Sequence, residues 1–316
     1  MLTRPPSNID WPDGKDFAFT IFDDTERGTV ENNRAIYGLL AELGMRTTKS
    51  LWPIAGAGKP DIPGPTCEEP EYLAMCREFE QQGFELALHN VTWHTSDREM
   101  TQRGFDRFKE LFGHESITFA NHSTNREGIY WGPARLTGWR RWLYFVLQRG
   151  QKFRGHLTDD PLFWGDICRE RVRYVRNFTF TDLNTLAMCP MMPYHDPARP
   201  WVNLWYAGSD AADVEAFQRN VTEATIDKLV AERGACLLYT HFGKRFYRDG
   251  KLDARFEQMM RYIASKNGWF VTAAELLDFL ASKQSARRVI TRTERAELEN
   301  RWLRDQLAHV RHRFFG

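Results

Sequence analysis

The sequence predicts an α/β protein folded as a closed, somewhat irregular (β/α) barrel. Three observations carry this expectation. Strand-like runs alternate with helical ones over short links, the pattern of a parallel sheet. The first run, "FAFTIFDD", is apolar on both faces: Phe17, Phe19 and Ile21 point one way, Ala18, Thr20 and Phe22 the other. Seven or eight such runs also suit closure of the sheet better than an open edge.

The elements follow in order. "ENNRAIYGLLAELG" carries Ile36, Leu39, Leu40 and Leu43 at helical spacing and closes on Gly44. "RTTKSLWP" reads as a strand stopped by Pro53, and the Gly/Pro-rich loop after it lacks a phosphate-cradling GxxxxGK[ST] pattern. A helix from Pro70 to Gly83 leads into the strand "FELALH". Ser96 and Glu99 stand at capping-box spacing before a helix that ends at Gly113, and "ITFAN" is the next strand. Residues 123 to about 212 are irregular and hold six of the eleven tryptophans; within them "RLTGWRRWLYFVLQ" reads as helix, "VRYVRNFTF" and "VNLWYA" as strands. Regularity returns with the single helix "DVEAFQRNVTEATIDKLVAERG", the strand "ACLLYTH", the helix "DARFEQMMRYIASKNG", the short strand "WFVT" and the helix "AAELLDFLASK".

Hydrophobic residues make up 42% and charged residues 27%, enough for a sizeable core. The 43 Lys and Arg balance 42 Asp and Glu, so no overall field favours nucleic acid. No run is long enough to span a membrane, and the first residues lack the apolar core of a signal peptide, which gives a cytoplasmic address as the expectation. Five scattered cysteines without a CxxC pair argue against a thiolate zinc site or a disulfide framework.

Polar residues collect at strand ends. Asp23 and Asp24 end the first strand, His89 ends "FELALH", Asn121 and His122 end "ITFAN", and His241 ends "ACLLYTH". In a parallel barrel these groups converge on the carboxyl edge, where such folds carry their chemistry. The Asp pair either caps the next helix or supplies an acid/base or metal site. His89, His94 and one Asp are the natural set for a divalent ion, zinc foremost, since zinc takes imidazole nitrogen and carboxylate oxygen. The second Asp is then placed as a general base, with His241 across the mouth as the acid.

This constellation resembles the polysaccharide deacetylase superfamily, carbohydrate esterase family 4 and its relatives. There "TFDDG" supplies the base and a metal-binding Asp, "H[ST]xxH" two His ligands, and an "LLH" strand end the acid. Here "TIFDDT", "HNVTWHTSD" and "LLYTHFG" match in that order from about residue 17 to residue 280. The resemblance implies a distorted (β/α)7 barrel with Asp23 as base, Asp24, His89 and His94 as metal ligands, and His241 as acid. It also implies a metal-dependent hydrolase that removes an acyl group from an N-acylated amino sugar. Three departures stand out. The histidines are five apart, where the family spacing puts Trp93 in the second ligand position; one extra residue turns a side chain to the other face, so His94 ligates only through a bulge. The family's arginine–proline motif is replaced by "ANHSTNREGIYWG", in which Asn121, His122 or Arg126 stands in. Thr25 replaces a Gly. Together they suggest a divergent branch, similar to deacetylase-like proteins of bacterial surface-polysaccharide and lipopolysaccharide biosynthesis.

The expected organisation is a barrel over 1–284, including the aromatic insertion of about 123–212, followed by a basic helical extension over 285–316. The aromatics, Trp131 among them, either pack the insertion onto the barrel or wall a sugar site, with Asp166 and His195 as polar members that would bond a sugar. In the extension, Leu303, Leu307 and Val310 share a face beside Trp302. That face suits packing on the barrel, or a homo-oligomer through the helix, better than a membrane surface. Two other readings stay open: a metal-independent barrel glycosidase, and a catalytically silent glycan-binding protein.

Overall fold

The computed structural model describes residues 4, 7–147, 150, 152–284 and 288–315, with backbone alone for 147 and 309–315. The strand-like runs form β1 (Phe17–Asp23), β2 (Thr48–Leu51), β3 (Glu85–His89), β4 (Thr118–Ala120), β5 (Tyr174–Phe180), β6 (Leu204–Ala211) and β7 (Ala235–Thr240). Neighbours in sequence pair in parallel, and β7 returns to pair β1 from Ala18 opposite Ala235 to Asp23 opposite Thr240. The sheet is therefore a closed seven-stranded parallel barrel. Its distortion lies at the β1–β2 seam. The two strands meet only at Phe22–Thr48 and Asp23–Lys49, while β10 (Gly268–Phe270) pairs the amino end of β1. A small antiparallel hairpin, β8 (Tyr247–Arg248) with β9 (Lys251–Leu252), lies outside the barrel.

Helices α1 (Val30–Glu42), α2 (Pro70–Gln81) and α3 (Arg98–Phe112) follow the first three strands. The aromatic stretch holds α4 (Gly138–Leu147), α5 (Gly165–Arg171) and α6 (Thr185–Met188), and it also supplies β5 and β6. Its large rings mostly fill the core: Trp164 and Trp205 are buried, and Trp164 packs 5.1 Å from Phe119 of β4. The helix expected over 213–234 is two, α7 (Val214–Asn220) and α8 (Glu223–Ala231), because Thr222 forms its own capping box with Thr225. The cap of α3 is Asp97, whose carboxylate accepts from the Met100 amide at 2.8 Å; Ser96 instead gives its amide to Glu127. The remaining helices are α9 (Ala254–Ala264), α10 (Ala273–Ser282) and α11 (Arg292–Phe315). Among the described residues no helix is long and apolar enough to cross a membrane.

Residues 285–287, where the C-terminal extension was expected to begin, and the side chain of Val310 lie outside the described residues. The helix itself packs on its own barrel. Trp302 is 2% exposed, against Phe178 of β5 and Tyr144 of α4, with Leu298 and Leu303 also buried. Buried Glu299 accepts from the Thr137 amide and hydroxyl and from Arg199. Trp302→Ala is expected to cost about 3–5 kcal/mol, the range for emptying a buried aromatic site. Deleting 289–316 should lower stability further, as read by calorimetry, without changing metal content.

Candidate active site

Strand alternation decides which carboxylate reaches the barrel interior. Asp23 shares the face of Phe17, Phe19 and Ile21, and its carboxylate is sealed behind the sheet. It accepts from the Phe242 amide at 2.8 Å and the Tyr37 hydroxyl at 3.3 Å, and pairs with Lys49 of β2 at 2.9 Å. Asp24 falls on the face of Phe22 and turns inward. Arg176, in the middle of β5, grips it through both guanidinium nitrogens, at 3.0 and 2.5 Å. The aromatic rings of Phe22 and Tyr239 flank that guanidinium, at 5.0 and 4.3 Å. Two residues beyond Asp24, Glu26 projects to the same side and is buried.

Glu26 is the hub. Its Oε1 lies 3.3 Å from His89 Nε2, 3.4 Å from His122 Nε2 and 3.2 Å from His241 Nε2, so three strand ends meet on one oxygen. Asp24 Oδ2 stands 3.7 Å from His89 Nε2. The far side of each ring is anchored. His89 Nδ1 bonds the Ala120 carbonyl at 3.1 Å and His241 Nδ1 the Ala212 carbonyl at 2.7 Å. A carbonyl only accepts, so in both rings Nδ1 carries a hydrogen, and a neutral ring then points its Nε2 lone pair into the cluster. His122 Nδ1 bonds Asn125 Oδ1 at 2.8 Å. The amide of Asn125 cannot be turned round, because its nitrogen donates to the Thr92 and His94 carbonyls and to Glu127.

Further residues hold this frame. Glu127 accepts from the side-chain amides of Asn90 and Asn125 and from the Ser96 backbone, tying the loops after β3 and β4 together. Burial pushes its carboxyl up to about 7. Trp52 donates to the His89 carbonyl at 2.7 Å and sets its ring 6.3 Å from His89 and 5.4 Å from His122, an apolar wall against both imidazoles. Burial holds His122 down to about 4, so it stays neutral. For Glu26, burial opposes charge, but His241 and His89 outweigh it and hold the carboxyl well below its usual range. Burial likewise opposes charge on His89, yet Asp24 and Glu26 lift its pKa above the ordinary value.

Two groups among the described residues bring possible ligand atoms within 4.8 Å of one another: Glu26, His89 and His122, and Asp24, Glu26 and His241. The donor set fits a divalent ion. Nε2 of His89, Nε2 of His122 and Oε2 of Glu26 are buried without a hydrogen-bond partner, which is costly unless something occupies their lone pairs. Anchoring of each Nδ1 on an acceptor is also the arrangement that orients ligating histidines.

The structure differs from the expected assignment at two central positions. Asp23 does not face the cluster, since it ends the strand one residue before the inward turn. His94 lies away from it: its Nε2 bonds the Ala57 carbonyl at 2.7 Å, over Gly56, where any Cβ would come within 2.4 Å of the ring. No bulge brings it back; Asn90 turns the chain with φ 50°, and Trp93 packs its ring 6.0 Å from Trp52. Asp24, His89 and His241 meet as expected, joined by His122. Of the residues expected to touch sugar, Asn121 clamps the backbone of Ile129, and Arg126 is exposed with its amide bonded to Thr95. Trp131 carries the Arg135 guanidinium 3.7 Å above its ring. Asp166 pairs with Arg98 on the surface, and His195 Nδ1 bonds the Asn203 carbonyl beside the segment that leads into α11. Glu26, Arg176, Lys49 and Asn125 were not anticipated. Glu26 lies in a turn past the end of β1 and gave no periodic signal; the signal for Arg176 was a cation inside the strand-like run "VRYVRNF".

The Asp23–Lys49 pair has a checkable pH signature. Burial raises the Asp23 carboxyl above its ordinary value, and Lys49 and the Phe242 amide recover only part of that. From its unfolded pKa near 3.8 up to its raised folded value, the unfolded chain binds fewer protons, so this group's contribution to stability falls as pH rises. The neutral variant Asp23→Asn/Lys49→Met should therefore gain melting temperature relative to the native protein as pH rises above about 4, until the raised folded value is passed. A constant difference in thermal melts across that window would contradict this.

No family model matches the chain, and no curated protein matches it. A solved structure described as a "putative polysaccharide deacetylase" from Mycobacterium smegmatis superposes with a TM-score of 0.52 at 13% identity, covering 92% of this chain and 99% of that one. At that identity the likeness is one of fold, a (β/α)7 barrel.

Proposed function

We propose that the protein is a metal-dependent carbohydrate deacetylase, a hydrolase of the C–N bond in an N-acylated amino sugar. One observation carries the reading: three imidazoles, each anchored through Nδ1, converge by Nε2 on a buried glutamate at 3.2–3.4 Å. The barrel shared with the deacetylase structure and the ordered Asp-Asp, His and "LLYTH" strand ends support it.

Glu26, His89 and His122 would hold the ion, zinc being the best fit to nitrogen and carboxylate donors. When bound, such an ion would supply Lewis-acid polarisation of the acyl carbonyl and activation of water as a nucleophile at neutral pH. The chain's own residues do the rest. Asp24, held by Arg176, takes the proton of the attacking water as general base. His241, held by Ala212, receives a proton on Nε2 and passes it to the nitrogen as the C–N bond breaks, which leaves a carboxylic acid and a free amine. Tyr206 is buried with its ring 6.4 Å from Phe22, and half-buried Tyr239 flanks the Arg176 guanidinium, so aromatic rings line the side of the barrel that holds Asp24. The resemblance to surface-polysaccharide enzymes makes an amino sugar of a polysaccharide or lipopolysaccharide precursor the substrate class, met in the cytoplasm.

The test is metal analysis of the purified protein alongside acetate release from N-acetylated sugars and their nucleotide- and lipid-linked forms. About one divalent ion per chain and metal-dependent acetate release are expected, with Asp24→Asn keeping the ion and losing turnover. A metal-free protein that binds glycans would instead be a silent receptor, and metal-independent cleavage of a glycosidic bond would make it a glycosidase.

A further inference from the structure

Eight large apolar side chains are exposed among the described residues, and four of them lie on α4. Trp139 (62% exposed), Trp142 (69%), Leu143 (36%) and Val146 (55%) stand at i, i+3, i+4 and i+7, a continuous stripe along one helix face. A surface helix normally turns such a stripe inward. Here the opposite face is the one that meets the protein: Arg140 Nε bonds Asn300 at 2.7 Å and faces Glu299, and Tyr144 packs edge-on against Trp302 at 5.1 Å. The stripe is left to solvent, and its two largest members are indoles.

The charge carried by the stretch around α4 is of one sign. From Gly128 to Thr158 the chain has six Lys and Arg (Arg135, Arg140, Arg141, Arg149, Lys152, Arg154) and no Asp or Glu. Beside the stripe, exposed Arg141, Lys152 and Arg154 line a groove of about 530 Å³ together with Trp142 and Phe145. Arg154 shares Asp160 at 3.1 Å, so the groove remains net positive.

We infer that α4 docks the protein peripherally on an anionic lipid bilayer, with Trp139, Trp142, Leu143 and Val146 in the headgroup–acyl boundary and the groove cations on lipid phosphates. An amphipathic helix with indoles on one face and cations at its rim is the form that lies in a membrane interface. A second copy of the chain fits this face poorly, because an isologous pairing would bring two net-positive surfaces together. The C-terminal helix does not compete for the role, since its Trp302 face is already covered. The connection that carries α4 leaves the barrel directly after His122. The docking helix thus belongs to the same β4–β5 connection as Asn125, an arrangement suited to a lipid-borne substrate if the deacetylase reading holds.

Co-sedimentation of the full chain tests this, with vesicles of phosphatidylcholine alone and of phosphatidylcholine mixed with phosphatidylglycerol. The native protein is expected in the pellet with the mixed vesicles at low salt and to be released by raised salt. Each surface cation contributes roughly fivefold to binding near an anionic bilayer, so Arg141→Gln/Lys152→Gln/Arg154→Gln should bind roughly a hundredfold more weakly. Trp139→Ser/Trp142→Ser should lose at least about tenfold from the apolar contact. Both variants should melt as the native protein does and hydrolyse a water-soluble substrate at its rate, because the altered groups touch neither core nor cluster. Native protein that stays in solution with both vesicles, or variants that bind as well as it does, would overturn the inference. So would a native dimer that the tryptophan variant converts to monomer with no vesicle binding, since a second copy would then cover the face.

Discussion

Glu26→Ala is expected to yield a folded protein without bound divalent ion, with hydrolysis lowered at least about a thousandfold, an effect of the size seen when a central electrostatic group is removed. Glu26 Oε1 lies within 3.4 Å of all three imidazole Nε2 atoms, so its loss removes the carboxylate on which they converge. Removing its side chain leaves the three rings anchored through their Nδ1 atoms, so melting should change little. Glu26→Asp is the sharper variant. It keeps the charge but withdraws it by one methylene, which should weaken metal retention without abolishing it. The comparison with Asp23→Ala separates two assignments of the Asp-Asp-Thr-Glu segment. If the inward carboxylates are the working ones, Asp23→Ala lowers stability but leaves a metal-loaded protein, whereas Glu26→Ala does the reverse. Metal analysis and calorimetry on the two proteins settle it. Full occupancy in Glu26→Ala would remove Glu26 from the site.

How much of this was legible beforehand depended on which physical rule each residue obeys. The barrel was readable because strand and helix periodicities are local, and the convergence of Asp24, His89, His122 and His241 followed from parallel strands ending together. The choice between Asp23 and Asp24 was not readable from the motif. Adjacent residues in a strand face opposite ways, and a one-residue difference in where the strand lets go exchanges interior for exterior. His94 failed for the same reason: its odd extra residue sent the ring to the Gly56 loop, and His122 from the next strand stands where a second ligand would be expected. Glu26 was hidden because the chain has already left β1 there, so alternation no longer promised its direction. Arg176 was hidden differently. It lies in a stretch whose tryptophans and arginines looked like an insertion, and only closure of the barrel reveals that β5 carries it opposite β1, 152 residues from its partner.

That partnership carries the second large effect. Arg176 and Asp24 are both buried, 3% and 2% exposed, and joined by two hydrogen bonds in the fork geometry that suits a carboxylate. Arg176→Met should destabilise the protein by about 3–5 kcal/mol, because it leaves Asp24 charged, buried and without its cation. Charge on Asp24 also fixes the guanidinium: its carboxylate and the aromatic lining outweigh burial and raise Arg176 above its already high pKa. The informative protein is Asp24→Asn/Arg176→Met, in which both charges are gone. Replacing a buried ion pair by neutral groups of similar volume is often close to neutral for stability, so the double variant should recover most of what Arg176→Met lost. Its turnover should not recover, because asparagine cannot accept the water's proton. Recovery of melting without recovery of hydrolysis would mark Asp24 as the base and Arg176 as the residue that positions it. If the pair were merely architectural, the stabilised double variant would regain activity along with its fold, and the role assigned to Asp24 would pass to another group.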